Sequence, residues 1–386
     1  MRKSPLAIIL TTVFIALVGF GIIIPLIPIF AERYGAGGVE VGLLMMSYSA
    51  MQFLFAPIAG KISDKIGRRP VIIAALAITT ISYVLFALAD NLTAIFISRI
   101  LAGLGGSDLT VAQAYIADVT PPEKRTRGMG LFGAAFGVGF TVGPTLTALL
   151  SPIHYQLPLF VAAIFTGVTT LIALIALPEP QKHLTSNRKI IRSLAGISRP
   201  VFTVTMLQFF AVFIQSIFHS MLILYTFHTL GWLERQNGFF LGILGVISAS
   251  IQGGMLGILV KTFGQTSLVK SGFLFMCVGS YVLGSSSYVT GMVGGGILIS
   301  IGFSLIIPTL SSLVSLVSPV DELGRTMGIF QSTGSMARIL APIAGGFMFD
   351  HISYSSPFIC GSLIAIVTAV IAFATLRGSA YKFENS

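Results

Sequence analysis

Charge is scarce in this sequence of 386 residues. Only 9% of the residues are Asp, Glu, Lys or Arg, whereas ordinary soluble domains carry roughly 25%. Hydrophobic residues make up 54% of the chain, and so few charges cannot cover a surface that faces water. The composition therefore excludes a set of soluble domains and indicates that most of the surface faces a lipid bilayer.

Cysteine is nearly absent, and several chemical signatures are missing. Cys277 and Cys360 both lie inside apolar runs, which excludes a disulfide framework and a zinc site. The sequence has no H-E-x-x-H motif and no nucleophile with a plausible base, which argues against an intramembrane enzyme. It also lacks G-x-x-x-x-G-K-[ST], so ATP is not the expected energy source. We expect no catalytic residue, no metal and no cofactor.

Long uncharged runs are what the sequence does contain. A helix needs about 20 apolar residues to cross a bilayer, and on this basis the sequence predicts twelve spans. His154, with prolines on both sides, divides one long run into two spans, and Ser285–Tyr288 divides another. The runs are 4–31, 41–60, 70–89, 91–117, 128–178 (two spans), 200–233, 236–260, 271–320 (two spans), 326–349 and 352–376.

Lysine and arginine are concentrated in one set of the predicted loops. They crowd both ends of the chain and the loops around 61–69, 124–127 and 182–199, whereas the opposite loops carry only Arg33 and Arg235. By the positive-inside rule, both termini and the 179–200 connection are cytoplasmic. The net charge of +10 is then an orientation signal in a bacterial inner membrane, and no nucleic-acid partner is expected.

The chain contains an internal repeat. Residues 119–132 (V-T-P-P-E-K-R-T-R-G-M-G-L-F) match residues 317–330 (V-S-P-V-D-E-L-G-R-T-M-G-I-F) at an offset of 198, and Pro144 matches Pro342 at the same offset. The offset joins the fifth span to the eleventh. It predicts an all-α membrane protein with two pseudo-symmetric six-helix bundles, 1–178 and 201–386, joined by a linker at 179–200. Such repeats place a cavity between the halves, as alternating access requires.

The loop between the second and third spans reads G-K-I-S-D-K-I-G-R-R. Its carboxylate is predicted to accept hydrogen bonds at a helix N-terminus, and one of its arginines to bridge to Asp118. Such a loop would lock the cytoplasmic ends of neighbouring helices, although an ordinary basic loop is the alternative. The motif residues are Gly60, Asp64, Gly67, Arg68 and Arg69.

This loop resembles the signature loop of the major facilitator superfamily, and other stretches agree. R-I-L-A-G-L-G-G at 99–106 is similar to an element of the family's fourth span. Gly139-Phe-Thr-Val-Gly143-Pro144 resembles the antiporter motif of the drug/proton antiporter branch, in which a kinked, close helix contact controls opening. Gly19-x-Gly21 with two following prolines is similar to the opening of tetracycline and quinolone exporters. The resemblance covers essentially the whole chain and implies a monomeric, proton-coupled transporter.

Three charges lie inside predicted spans: Arg99, Asp108 and Arg338. Each costs about 2.5–3.5 kcal/mol at the centre of a helix. Asp108 lies ten residues from Asp118, and Arg338 lies thirteen from Arg325, so their depths differ by only about 5 Å. We hypothesise that Asp108 and Arg338 pair in one conformation and separate in the other. Because a desolvated carboxylate holds its proton more tightly than a paired one, this would couple protons to transport. A static ion pair is the alternative.

The resemblance implies roles for further residues in the spans. Arg99 would assist proton movement, unless it snorkels to the outer interface. His219 stands near the position of a coupling glutamate in related quinolone exporters, with a simple packing role as the alternative. Ser304 stands where such exporters often have an acid, so the second half lacks the usual carboxylates.

Polar and aromatic residues on the spans that border the expected cavity define the substrate site. An apolar pocket with sparse amides and one acid suits an amphipathic or cationic lipophile. The leading prediction is export of lipophilic small molecules by proton antiport. The alternative on the same fold is a lipid or glycolipid flippase, or an efflux carrier for one metabolite such as a siderophore, with Arg338 holding an anionic head group. The predicted cavity residues are Phe20, Gln52, Gln113, Phe136, Gln215, Phe218, Ser304 and Gln331.

Overall fold

The structure, a computed structural model, describes residues 5–121, 125–180, 198–318 and 323–376. Regular secondary structure within these ranges is entirely helical, as expected for chains that must satisfy every backbone hydrogen bond in lipid. The α-helices are α1 Pro5–Ile23, α2 Leu26–Arg33, α3 Gly38–Ile66, α4 Arg68–Ala87, α5 Leu92–Gly105, α6 Asp108–Val119, α7 Arg125–Leu150, α8 Leu157–Ala176, α9 Arg199–Leu230, α10 Glu234–Ser250, α11 Leu256–Phe263, α12 Gln265–Ser285, α13 Val289–Val317, α14 Leu323–His351 and α15 Ser356–Thr375.

The twelve predicted spans all coincide with described helices or helix pairs. Within the described residues, eleven helical segments are long and apolar enough to cross a bilayer. The predicted span at 326–349 is α14, which has 29 residues but is less apolar because it carries polar side chains such as Gln331, Ser335 and Arg338. The all-α membrane fold is therefore confirmed.

Three predicted spans are interrupted, a feature that hydropathy did not reveal. The first span breaks between α1 and α2 at Pro25, because proline has no N–H to donate and its ring clashes with the preceding turn. The hydroxyl of Thr147 donates to the carbonyl of Ile22 at 2.6 Å and so satisfies an acceptor beside the break. The fourth span breaks at Gly106–Ser107, and a π-helical turn at Ile251–Met255 separates α10 from α11.

The chain forms two compact units. The first comprises Met1–Ser186 with Trp232–Val246, and the second comprises Asn187–Gly231 with Ile247–Ser386. The first part of α10 belongs to the first unit because its glycines pack on α7. A Cβ atom at Gly238 would lie 2.5 Å from the carbonyl oxygen of Pro144. The predicted linker at 179–200 remains a prediction, since 181–197 lie outside the described residues.

Each unit has its own apolar core. In the first unit, α1, α4, α6 and α8 meet at a cluster that includes Ile9, Ile72, Val111 and Ala173. In the second, α12 and α13 approach closely through Gly279 and Gly295, as a Cβ atom on either would lie 2.7 Å from the carbonyl oxygen of the other. Small residues permit such contacts between membrane helices.

Candidate functional site

A cluster of charged groups ties the ends of α3, α4 and α6 in the first unit. Arg68 contacts Asp118 through Nε at 2.9 Å and Asp64 through Nη1 at 2.6 Å. Its Nη1 also donates to the hydroxyl of Ser63 at 2.6 Å. The predicted bridge from this loop to Asp118 is therefore confirmed, and Arg68 rather than Arg69 forms it.

The prediction that Asp64 caps a helix N-terminus was wrong. Asp64 lies in the last turn of α3, and the first backbone N–H groups of α4 are instead bound by Glu179. Its carboxylate accepts from the N–H of Arg68 at 2.6 Å and from that of Arg69 at 3.0 Å. Sequence reasoning assigned Glu179 only to the linker, because nothing in its local pattern shows that the end of α8 meets the start of α4.

Gly67 has a structural reason to be glycine, whereas the described structure gives none for Gly60. Gly67 adopts φ +108°, and a Cβ atom there would lie 2.7 Å from the carboxylate of Glu179. A positive φ is strained for other residues. Gly60 has open space within 4 Å of its Cβ position, and its carbonyl accepts from Ser63.

Arg99 is buried in the first unit, with 1% of its surface exposed. Its guanidinium carbon lies 5.2 Å from the ring centroid of Phe86, within the range of a cation–π interaction. In the described part of the chain its Nε and Nη2 atoms have no hydrogen-bond partner. The alternative that Arg99 snorkels to the membrane surface is therefore wrong for this conformation.

Asp108 is the first residue of α6 and is 9% exposed. The break before it places its carboxylate at the positive end of the helix dipole, which favours a negative charge. It lines a cavity of about 20 Å³ together with Phe20, Tyr48 and Tyr83, which is enough room for one water molecule. Tyr83 lies near both Arg99 and Asp108.

Two predicted cavity residues, Phe20 and Gln52, lie close to Asp108. The amide of Gln52 donates to the carbonyl of Gly106 at 2.9 Å and satisfies an acceptor at the break in the fourth span. The ring of Phe20 lies 5.1 Å from that of Tyr48, centroid to centroid. Sequence reasoning missed Tyr48 and Tyr83, because a tyrosine within an apolar span has no distinguishing pattern.

The antiporter motif brings α7 against α1. A Cβ atom at Gly143 would lie 2.5 Å from the Cα of Gly21, and one at Gly139 would lie 2.7 Å from the Cβ of Leu17. Glycine is therefore required for this approach. Pro144 lies inside α7.

The second unit holds four of the predicted residues in packed positions. His219 accepts from Gln215 Nε2, 3.3 Å away, and Gln215 is 8% exposed. Ser304 and Phe218 are buried, and Ser304 hydrogen-bonds Ser248 at 2.7 Å. The prediction that Phe218 and Ser304 line open space is wrong for this conformation, because both contribute to helix packing.

The remaining predicted residues are more accessible. Gln113 and Gln331 are exposed, and the side chain of Phe136 lies outside the described part of the structure. Arg338 is exposed on α14 and donates to Ser335 Oγ at 3.0 Å. Asp108 belongs to the first unit and Arg338 to the second, so their pairing stays a prediction.

Known proteins resemble the chain along almost its entire length. Multidrug resistance protein 1 of Bacillus subtilis (strain 168) is 26% identical, and the match covers 97% of this chain and 95% of that protein. The class H tetracycline resistance protein of Pasteurella multocida is 29% identical, over 99% and 96%. Quinolone resistance protein NorA of Staphylococcus aureus (strain MRSA252) is 24% identical, over 93% and 94%.

Solved structures share the fold at low sequence identity. The human organic anion transporter MFSD10 superposes with a TM-score of 0.72 at 21% identity and covers 96% of this chain and 99% of its own. The nucleoside transporter NupG gives 0.78 at 12% identity, with coverage of 98% and 100%. The family model of the Major Facilitator Superfamily matches residues 9–268 and 253–384. The chain therefore belongs to the major facilitator superfamily and is a multi-pass membrane transporter of small molecules.

Proposed function

We propose that the protein is a proton-coupled antiporter that exports lipophilic or amphipathic small molecules by alternating access. The relatives named above are multidrug, tetracycline and quinolone resistance proteins, which supports export of such compounds. We also propose that it acts as a monomer in a bacterial inner membrane, with both termini cytoplasmic, as the distribution of basic loops predicts.

The observation that carries this proposal is the position of Asp108. Of the described carboxylates, it alone lies in the interior of a span, where it lines a small cavity. Excluding water favours the neutral form of a carboxylic acid, and readmitting water favours the ion. A change in access to this cavity would therefore make Asp108 take up or release a proton.

Arg99 and the tyrosines support the same role. Two N–H-bearing atoms of Arg99 have no hydrogen-bond partner within the described residues, so they can donate to water or to a carboxylate. The hydroxyls of Tyr48 and Tyr83 can both donate and accept. The two tyrosines line the cavity together with Asp108, so their hydroxyls can hold a water molecule beside its carboxylate.

The charged cluster around Arg68 supports a gate at the predicted cytoplasmic end. Arg68 and Glu179 connect four helices, α3, α4, α6 and the end of α8, through charge-assisted hydrogen bonds. Such bonds are roughly twice as strong as neutral ones. A rearrangement of these four helix ends relative to one another would have to break some of these bonds, so the cluster can stabilise one arrangement of the first unit.

Transport of rhodamine 6G into proteoliposomes tests the proposal. We expect uptake by the wild-type protein to follow an imposed pH gradient, and Asp108→Asn to abolish the gradient response while dye binding is retained. Asp90→Asn, which changes an exposed carboxylate in a loop, is the matched control and should transport normally.

Two outcomes would contradict the proposal. Gradient-driven transport that survives in Asp108→Asn would exclude Asp108 as the coupling group. Dye transport by the wild-type protein that ignores the gradient would exclude proton coupling. The second outcome would favour a carrier or flippase for an anionic lipid or metabolite, for which the exposed cation Arg338 is the supporting observation.

A further inference from the structure

One face of α9 in the second unit carries buried oxygens that have no hydrogen-bond partner in the described part of the chain. Thr205, Gln208 and Gln215 fall within a roughly 80° arc of the helix, together with His219. Within the described residues, the Oγ1 atom of Thr205 and the Oε1 atoms of both glutamines lack a hydrogen-bond partner. Each residue is at most 8% exposed. Native structures rarely leave buried acceptors unsatisfied, so these oxygens require an explanation.

Arg338 lies level with this face. Gly334 of α14 is beside Gln208, since a Cβ atom there would lie 2.7 Å from Gln208 Nε2, and Gly345 is beside Ile217 and Met221. The two helices therefore run parallel in a constant register. At 1.5 Å per residue, Arg338 falls at a depth between Gln208 and Gln215.

Residues Gln331, Ser335 and Arg338 share a face of α14, because their spacing is i, i+4, i+7. Ser335 Oγ accepts from Arg338 Nη2 at 3.0 Å and orients the guanidinium. Arg338 and Gln331 are exposed. We call the two faces together the α9–α14 polar stripe: Thr205, Gln208, Gln215, His219, Gln331, Ser335 and Arg338.

The internal repeat shows that the fold does not need a cation here. At the offset of 198 residues, the position equivalent to Arg338 is Phe140 of α7. The ring of Phe140 packs against Phe20 with a centroid distance of 5.6 Å. An arginine in the middle of a span is costly, so its presence in one repeat and not the other indicates a role beyond packing.

We propose that the α9–α14 polar stripe is a binding subsite for an acidic amphiphile that carries N–H or O–H groups. Arg338 binds the carboxylate or phosphate of this molecule, and the side-chain oxygens of Gln208 and Gln215 accept its hydrogen bonds. This inference rests on the proposed function and names the substrate class.

The chemistry of the side chains suits this ligand. Guanidinium presents a planar fork of donors that matches a carboxylate or phosphate. The terminal torsion of glutamine is broad, so each amide can turn its oxygen toward a ligand that approaches from the exposed side of Arg338. Gln208 and Gln215 are seven residues apart, or about 10 Å along the helix. A ligand of about that length can therefore contact both amides at once.

Three rhodamine dyes test separately whether the subsite recognises the acidic group and whether it recognises the N–H groups of a ligand. Rhodamine 19 has a free carboxylate and two N–H groups, rhodamine 6G is its ethyl ester, and rhodamine B has the carboxylate but no N–H group. Binding is measured by fluorescence anisotropy with the purified protein in phosphatidylcholine nanodiscs, with empty nanodiscs as the blank. We expect rhodamine 19 to bind about tenfold more tightly than rhodamine 6G, as a charge-assisted contact predicts.

Substitutions assign each preference to its residues. Arg338→Gln should remove the preference for the acid over the ester, and Gln208→Leu with Gln215→Leu should remove the preference for rhodamine 19 over rhodamine B. Lys270→Gln is the charge-matched control, because Lys270 donates to the carbonyl of Leu376 at 3.3 Å and lies off the stripe. Displacement of rhodamine 19 by phosphatidylglycerol would identify a lipid as the acid, whereas displacement only by soluble benzoate would identify a small molecule.

Equal binding of rhodamine 19 and rhodamine 6G by the wild-type protein would overturn the inference, as would an unchanged acid preference in Arg338→Gln. Gradient-driven uptake of rhodamine 6G would in that case still support the proposed function. Conversely, if uptake ignores the gradient but Arg338→Gln abolishes the acid preference, the proposed function fails and the subsite stands.

Discussion

The first span packs against the fifth, and the seventh packs against the eleventh, yet the two halves of this duplicated chain use the equivalent helix pairs differently. In the first unit, Gly21 and Gly143 bring the backbones of α1 and α7 together. In the second, α9 carries two buried amide oxygens that have no hydrogen-bond partner among the described residues, and the facing helix α14 carries Arg338. The fold requires the helix pair, and the chemistry on its surface was free to diverge.

Equivalent positions make the difference specific. Pro144 and Pro342 are matched at the offset of 198, but Gly143 is matched by Ala341 and Phe140 by Arg338. The first unit combines a close backbone contact with a buried carboxylate, and the second combines a contact through polar side chains with an exposed cation. According to our two proposals, Asp108 of the first unit takes up and releases the proton, and the α9–α14 polar stripe of the second unit binds the substrate.

The largest expected effect on the free energy of unfolding comes from adding a methyl group between α1 and α7. Gly143→Ala places a Cβ atom 2.5 Å from the Cα of Gly21 and 2.7 Å from the backbone N of Ile22. Backbone atoms cannot move aside as side chains do, so we expect a loss of about 2–3 kcal/mol from overpacking. The thermal unfolding midpoint in detergent, read by size-exclusion chromatography, measures it.

The equivalent exchange in the second unit is the control. Ala341→Gly removes a methyl group and should cost only about 1 kcal/mol, mainly through helix propensity. If Gly143→Ala unfolds at the wild-type midpoint, the two helix pairs are equally tolerant and the contrast between them is wrong.

A smaller effect is expected where α4 begins. Glu179→Gln removes the negative charge that accepts from two N–H groups of α4 and should cost about 1 kcal/mol. Since the site is partly exposed, the loss should shrink at high salt. The measurement is the unfolding midpoint of variant and wild type at low and high salt.

The start of α12 in the second unit is the uncharged counterpart of the start of α4 and serves as the control for the salt dependence. Gly264 precedes it with φ +77°, much as Gly67 precedes α4, but the next residue, Gln265, donates to the neutral Ser312 Oγ at 3.2 Å. Gln265→Ala should therefore show no salt dependence. An effect of salt that is the same for both variants would refute the electrostatic explanation.

The smallest effect concerns the break in the first span. Thr147→Val removes the hydroxyl that donates to the carbonyl of Ile22 and should cost about 1 kcal/mol, the value of one hydrogen bond. Thr169→Val is the matched control. Thr169 bonds a carbonyl within its own helix, where the backbone N–H already provides a donor, so its loss should be close to zero.

Much of the fold could be predicted because hydropathy is a local property. Runs of apolar residues located every span, and the contact between Arg68 and Asp118 followed from a motif with fixed spacing. The carboxylate at the start of α4 could not be predicted in the same way. Glu179 meets Arg68 across 111 residues of sequence, and no pattern near either residue records the contact.

The candidate site shows the same division. Arg99, Asp108 and Arg338 were identified from sequence because charge inside an apolar span is rare and costly. Their surroundings were not. Tyr48 and Tyr83 beside Asp108, the burial of Arg99 and the break that makes Asp108 the first residue of a helix all depend on packing between spans.

The sequence alone determined the membrane class, the number of spans, the duplication and the few residues able to carry mechanism. Scarcity made this possible, since every charge or polar motif in an apolar chain is a distinct signal. The tertiary structure decided which polar groups meet and which buried oxygens remain unsatisfied. These depend on the register between helices, which glycines such as Gly143 and Gly334 set by allowing close approach, and register is a property of pairs of segments far apart in the chain.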